Sequence, residues 1–437
     1  MDGEPLLREM GNDGTRRRSM CQLAVEAVVR TFSNNPRCEE MRASIGMLPL
    51  HLKLNVLGEM CDYPSLVAVQ LDLLTDPLLV SDFISEFATD LTPLVQCFQW
   101  LQSVKQSLAM QLFHRYRTLL AEKSRTAGGL PRLDYRCGLR IGTFLTQTGW
   151  YVEAIGMLNL TTQQTRLGSP EELAVLRQLM CAQVLAGRLK HAQQTGQRVD
   201  KLNMSLLHGR PLHNLRAGIM HSFSLFYFED INFTCSYNHT VQSLAFLSER
   251  SPPRLIIDVF RQAARASLGR RFYAKAAFML QQAMARVARV YGRTSAPYAE
   301  LLEDLAIQLL ARNQVTDSVN TFADAHHIYT QLYGARNLLL STGQGNLAYG
   351  LCLQAYVTGR HDRALQHVAK AIANYRRTLP PDHRMLVQVG RLRATIALFH
   401  FRRRSPVEQL DVAAFLQQIA QPMPLRVAWN YFMALEN

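Results

Sequence analysis

A turn signature that returns between residues 149 and 364 constrains this chain more than any other feature. Each copy has a small or polar residue closing a helical stretch, one spacer, a bulky residue, two spacers and a second small residue. The copies are Gly149-Trp150-Tyr151 with Ala154, Gly187-Arg188-Leu189 with Ala192, Arg271-Phe272-Tyr273 with Ala276, Asn313-Gln314-Val315 with Ser318, and Gly359-Arg360-His361 with Ala364. Glycine suits the first position because the backbone that ends a helix there is hindered by a side chain. The bulky residue plugs the mouth of a helical hairpin, and the small one lets the return helix approach. Small residues also stand where the first helix of a hairpin is crossed: Gly142, Ala264, Ala306 and Cys352. Tyr291-Gly292 and Tyr333-Gly334 are 42 residues apart, as are Leu305-Ala306 and Leu347-Ala348, which sets the period. Asn313 to Gly359 is 46, and the excess is close to one helical turn of ~3.6 residues, so the first helix of that repeat lengthens with its buried face kept. Residues 205–250 have the length of another pair but lack the Gly and Ala marks, and read as a degenerate repeat. Such a hairpin cannot bury its apolar face alone and must stack on its neighbours. The expected fold class is therefore all-α, with a solenoid divergent over 134–250 and regular over 251–382.

The remaining segments are read from periodicity and breakers. Residues 1–45 form a mostly flexible arm with one short helix in CQLAVEAVVRTF. Apolar residues recur at three and four over 46–123, a helical adaptor region cut by Pro64, Pro77 and Pro93. Gly, Ser, Pro and charge concentrate at 124–133, which marks a boundary. The tail, 383–437, continues helical past Pro406, Pro422 and Pro424 and is expected to supply capping helices. Hydrophobic residues make 48% and charged residues 19%, which excludes a wholly disordered chain. Lys and Arg number 48 against 34 Asp and Glu, so the net charge is +14; it favours acidic partners such as nucleic acid, anionic lipid or tubulin-like tails without choosing among them. The eight cysteines are widely and irregularly spaced, with no zinc pattern, and read as reduced buried thiols. With no leader-like apolar region and no run of ~18 apolar residues, the expected location is cytoplasmic, with nuclear and cytoskeletal association open.

No motif points to catalysis. Gly343-x-Gly345-x-x-Ala348 imitates a dinucleotide loop, but that loop needs a preceding strand, and the repeat puts Ala348 inside a helix. His326-His327 reads as an amphipathic-helix edge rather than a metal pair. The chain is thus expected to be no enzyme, with no cofactor, no metal and no small-molecule substrate.

The 42-residue unit with YG ahead of each hairpin resembles tetratricopeptide repeats of the long, kinesin-light-chain kind. More closely, PRLIIDVFRQAARASLGRRFYAKAAFMLQQAM, PYAELLEDLA, NLAYG, GRHDRALQHVAKAI with LPPDHRMLV, and FLTQTGWYVEAIGML are similar to the amyloid protein-binding protein two family. The likeness is patchy before residue 130 and good over 139–158 and 251–395. It implies a substrate receptor of a cullin-two ubiquitin ligase, joined through Elongin B and C, that binds C-terminal degrons. It also implies links to microtubule-associated transport and to amyloid-precursor-like protein tails. The family continues with further repeats after the position of Arg404, where this chain ends sooner. An Elongin-binding box pairs a leading Leu with a small residue or Cys four places on, so Leu57 and Cys61, with Leu54, are its candidates here. LTDPLLVSDF would supply the cullin-contacting proline. The competing reading makes Leu54, Leu57 and Cys61 the core of a small bundle.

In such solenoids the first helices line the groove, and counting back from each turn places Arg136, Arg177, Asp258, Arg261, Arg265, Glu300, Glu303, Asn346, Tyr349 and Tyr356 there. Arg261 and Arg265 would grip a peptide carboxylate while the acids take a basic side chain of the same ligand. The alternative is a solvated charged face. A basic repeat protein that binds RNA through its charge is a third function class, separable by its steep salt dependence.

Overall fold

The computed structural model describes residues 19–88, 90–104, 107–125, 133–206, 212–333, 338–358, 362–378, 386, 389, 411–412, 415 and 422–435. Regular structure among them is helical throughout, and the chain divides into two compact units, Met1–Arg166 and Leu167–Asn437. The first unit holds α1 (Met20–Asn34), α2 (Glu39–Met47), α3 (Leu50–Glu59), α4 (Val67–Leu74), α5 (Pro77–Glu86), α6 (Thr92–Ser103), α7 (Leu108–Arg125), α8 (Tyr135–Gln147) and α9 (Tyr151–Thr162). Local chemistry starts these helices. A capping box of Ser19 and Gln22 opens α1, the Asp76 carboxylate caps α5 ahead of Pro77, and Asp134 caps α8. Within the segment expected as an arm, α1 packs its buried Val29 and Phe32 toward α3. The core continues through Leu57, Met60, Phe83, Phe98 and Tyr116. The first hairpin of the repeat kind, α8–α9, belongs to this unit. Phe98 lies edge-on to Phe144 at 5.3 Å, and the Trp150 indole donates to Gln102 Oε1 at 2.9 Å.

The second unit is a stack of helical hairpins of tetratricopeptide type. They are α10 (Pro170–Leu185) with α11 (Leu189–Leu206), α12 (His213–Glu229) with α13 (Phe233–Ala245), α14 (Pro253–Gly269) with α15 (Tyr273–Val290), α16 (Ala296–Ala311) with α17 (Val315–Tyr333), and α18 (Leu338–Thr358) with α19 (Asp362–Thr378). The turn signature is a shared backbone motif. Gly149, Gly187, Arg271 and Asn313 have φ of 94°, 73°, 63° and 64°. The next residue in each, Trp150, Arg188, Phe272 or Gln314, donates its N–H to the carbonyl five residues back at 2.8–2.9 Å, which is a Schellman closure. The Gly359 turn lies outside the described residues.

The degenerate segment uses the same turn. Ile231 has φ 65°, and Asn232 N–H closes on the Tyr227 carbonyl at 2.8 Å. Phe233 fills the bulky position and Ser236 the small one, so the signature persists with glycine and alanine replaced. At the crossing position Ser224 stands where other repeats have Gly142 or Ala306. Its hydroxyl meets Ser236, Thr240 at 2.6 Å and Gln262 at 3.2 Å, a fully buried polar cluster that satisfies itself. Close approach is also visible at Gly142, where a Cβ would lie 2.6 Å from Leu158 Cγ, and at Ala306, whose carbonyl accepts from the Ser318 hydroxyl at 2.7 Å. The Cys352 side chain lies outside the described residues.

Of the tail expected to cap the array, α20 (Leu425–Ala434) is described together with its lead-in. It lies across second helices, with Tyr431 4.6 Å from Phe278 on α15 and Phe432 6.2 Å from Tyr237 on α13. Gly343 and Gly345 are buried inside α18, against Tyr329 and Tyr375. His326 lies 5.9 Å edge-on to His367. The described cysteines carry free thiols. No helix among the described residues is long and apolar enough to cross a membrane.

Candidate functional site

Consecutive first helices α10, α12, α14, α16 and α18 are neighbours in the second unit, so the sequence-derived positions there share one face. Arg136 belongs to the first unit, where its guanidinium lies 5.8 Å from the Tyr135 ring. The Tyr356 side chain lies outside the described residues.

The charged side chains of this face bind one another. Arg261 on α14 reaches across to α16, where Nη1 pairs with Glu300 and Nε meets Asp304 Oδ2 at 2.5 Å. Burial opposes its charge, but Asp304 and Glu300 overcome that and hold the guanidinium pKa well above its usual range. Arg254 bridges Asp258 at 3.0 Å, one turn along its own helix, and Glu300 at 3.7 Å. Arg265 contacts Glu229 at 3.4 Å and Asp304 at 3.8 Å, and its guanidinium covers the Phe228 ring at 4.3 Å. Glu303 points inward. It accepts from the Tyr329 hydroxyl at 3.2 Å and from Asn346 Nδ2 at 2.9 Å, and burial pushes its carboxyl pKa up to about 7 against those bonds and nearby Arg261. Tyr349, half-buried, follows Asn346 on α18.

The structure therefore brings Asp258, Arg261, Arg265, Glu300, Glu303 and Asn346 together, but as an internal network rather than a solvated face. Sequence counting missed Arg254, Asp304, Glu229 and Tyr329, which complete it. Two were signalled: Arg254 precedes Asp258 by four residues, and Asp304 follows Glu300 by four.

Arg177 on α10 differs. It is half-buried, and among the described residues no carboxylate pairs with it. Its side chain lies over Gly218 of α12, where a Cβ would stand 3.0 Å from Arg177 Cδ and 3.3 Å from Cζ. One turn on, His221 is kept largely neutral near pH 7: burial first, then Arg177, Arg254 and Arg265, outweigh Asp258 and lower its pKa to about 4. Arginine charge thus faces this end of the row without a full set of counter-charges.

In the first unit Leu54 and Leu57 are buried in the bundle core, and Cys61 is half-buried on the 3-10 turn after α3. Leu57 therefore holds α3 in place rather than offering a surface knob. Two runs of arginine, residues 16–18 and 402–404, which would concentrate the positive charge offered to acidic tails, lie outside the described residues.

No family model matches the chain. It is 25% identical over 309 residues to amyloid protein-binding protein 2 of Rattus norvegicus and of Mus musculus, an alignment covering 69% of this chain and 52% of each relative. The chain thus spans about half the length of the curated relatives it matches. Crystal structures of nearly identical TPR-like repeats assigned to a kinesin light chain of Podosopora anserina align over 45% of this chain, at 19% identity and TM-scores of 0.33 and 0.32. The chain is thus similar in sequence to proteins named for binding another protein, and its second unit is a stack of helical hairpins.

Proposed function

We propose that this chain is a non-catalytic substrate receptor that holds a peptide segment, most simply a protein C-terminus, on the first-helix face of α10–α18. The observation that carries the reading is Arg177, a half-buried arginine with no acidic partner among the described residues, at the end of a row whose other arginines are already paired. A ligand carboxylate completes its charge. Arg254, Arg261 and Arg265 then shape the face instead of gripping the ligand directly, because displacing their acids would expose buried charge.

The test is fluorescence anisotropy of C-terminal peptides with free or amidated ends. Arg177→Glu should cost about 2 kcal/mol or more, roughly 30-fold in affinity, as for one lost partner of a desolvated charge pair. Amidation should mimic it. Equal binding of both peptide forms by wild type and variant would remove Arg177 as the anchor. By its likeness to the receptor family, the first unit is proposed to join a cullin-two ligase through Elongin B and C. Because Leu57 is core, Leu57→Asp would unfold the bundle rather than report docking. Hydrogen exchange in α3, with and without Elongin B/C, is the cleaner measurement, and unchanged exchange would exclude α3 as the docking element.

A further inference from the structure

We propose that Cys61 and Cys97 are a modification site: a hydroperoxide oxidises them to a disulfide that ties the end of α3 to α6. Their sulfurs lie 4.0 Å apart, although the residues are 36 positions apart in sequence. Among the described cysteines this is the pair in sulfur–sulfur contact. The bond needs the sulfurs ~2.05 Å apart, so the half-buried Cys61 side chain, on its short 3-10 turn, has to rotate toward Cys97 for it to form.

The surroundings divide the labour between the two thiols. Cys97 is fully buried, whereas Cys61 is reachable. Gln70, also fully buried, donates from Nε2 to the Leu57 carbonyl at 2.7 Å and to Cys61 Sγ at 3.4 Å. A donor at the sulfur favours the thiolate. The contact with Cys97, then the bond from Gln70, draw the Cys61 pKa below its ordinary value against burial, while the contact with Cys61 and burial push Cys97 well up. The other thiols differ: burial pushes Cys137 up to about 12, and Cys181 is spent on the Ser222 hydroxyl at 3.1 Å.

The chemistry balances. Cys61 thiolate attacks the outer oxygen of R′OOH, breaking the O–O bond and releasing R′OH after protonation, and becomes a sulfenic acid. Cys97 sulfur then attacks Cys61 sulfur, expelling water and losing its proton. Two thiols and one hydroperoxide give one disulfide, one alcohol and one water, with two electrons passing to the peroxide.

The experiment uses the full reduced chain, tert-butyl hydroperoxide as oxidant, maleimide blocking and intact-fragment mass spectrometry. Residues 54–105 contain no internal Lys or Arg, so one tryptic fragment carries both thiols. The expected product has lost two hydrogens, has taken up no maleimide, and reverts with dithiothreitol. Cys97→Ser should stop at a Cys61 sulfenic acid trapped by dimedone, and Cys61→Ser should leave Cys97 unoxidised. The oxidised wild type should melt several degrees higher than the reduced chain, whereas the two variants should not shift. The proposal is overturned if residues 54–105 still take up two maleimides at an oxidant dose that modifies exposed Cys21, or if Cys61 pairs with another cysteine instead.

Discussion

Replacing Arg261 by methionine tests whether the face of α14 and α16 is held by paired charge. The change deletes the bond to Glu300 and the 2.5 Å contact to Asp304, and both acids are more buried than Arg261 itself. Breaking a buried pair costs about 3–5 kcal/mol, because the orphaned charge stays desolvated. Here each acid keeps a second cation, Glu300 with Arg254 at 3.7 Å and Asp304 with Arg265 at 3.8 Å. The lower end, about 3 kcal/mol, is therefore expected. Two compact units need not unfold in one transition, so the readout is hydrogen exchange of α14 and α16 amides. A loss of about 3 kcal/mol should speed their globally limited exchange roughly 150-fold, at ~1.4 kcal/mol per decade. The triple variant Arg261→Met/Glu300→Met/Asp304→Leu removes all three charges, and Arg254 and Arg265 retain Asp258 and Glu229. It should recover most of the loss, since an apolar replacement of a buried triad is often neutral. If the single variant exchanges within threefold of wild type, the network is solvated and the argument is wrong.

Glu303 makes stability depend on pH. Its folded pKa of about 7 exceeds the unfolded value of 4.5, so its contribution is complete below pH 4.5 and is lost as pH rises through about 7. At ~1.4 kcal/mol per pH unit the swing is about 3 kcal/mol; Glu303→Gln should flatten that part of the stability–pH curve measured by urea unfolding. Ile231→Gly should raise stability by about 0.5–1 kcal/mol, because relief of a β-branched residue at φ 65° outweighs the added unfolded-state freedom of glycine. Unchanged or lower melting would contradict this. Gly142→Ala should cost about 1–3 kcal/mol by driving a Cβ to 2.6 Å from Leu158. Gly58→Ala in α3, where nothing lies within 4 Å, should instead stabilise by about 0.5–1 kcal/mol, and calorimetry on the two variants compares the signs.

What the amino-acid sequence determined by itself was the local part of the fold. Turn positions at Gly149, Gly187, Arg271 and Asn313, the small crossing residues and the all-α class follow from backbone sterics and helical periodicity, which act over a few residues. The degenerate repeat is legible by its length alone, its turn unmarked because Ile231 occupies a conformation that glycine normally marks and Ser224 meets the small-residue requirement with a polar side chain. Only the tertiary structure decided the fate of the charges. Arg261 meets Asp304 from 43 positions away, a distance the period suggests, but whether that carboxylate or a ligand answers the arginine depends on which rotamers the stacked helices admit. The same holds for Leu57, whose spacing with Cys61 suits a docking knob until packing against the bundle turns it into core, and for Cys61 itself, which meets Cys97 only once α3 and α6 are in place. Electrostatic and sulfur contacts are pairwise in space, and a linear pattern fixes which face a side chain occupies without fixing what stands opposite it.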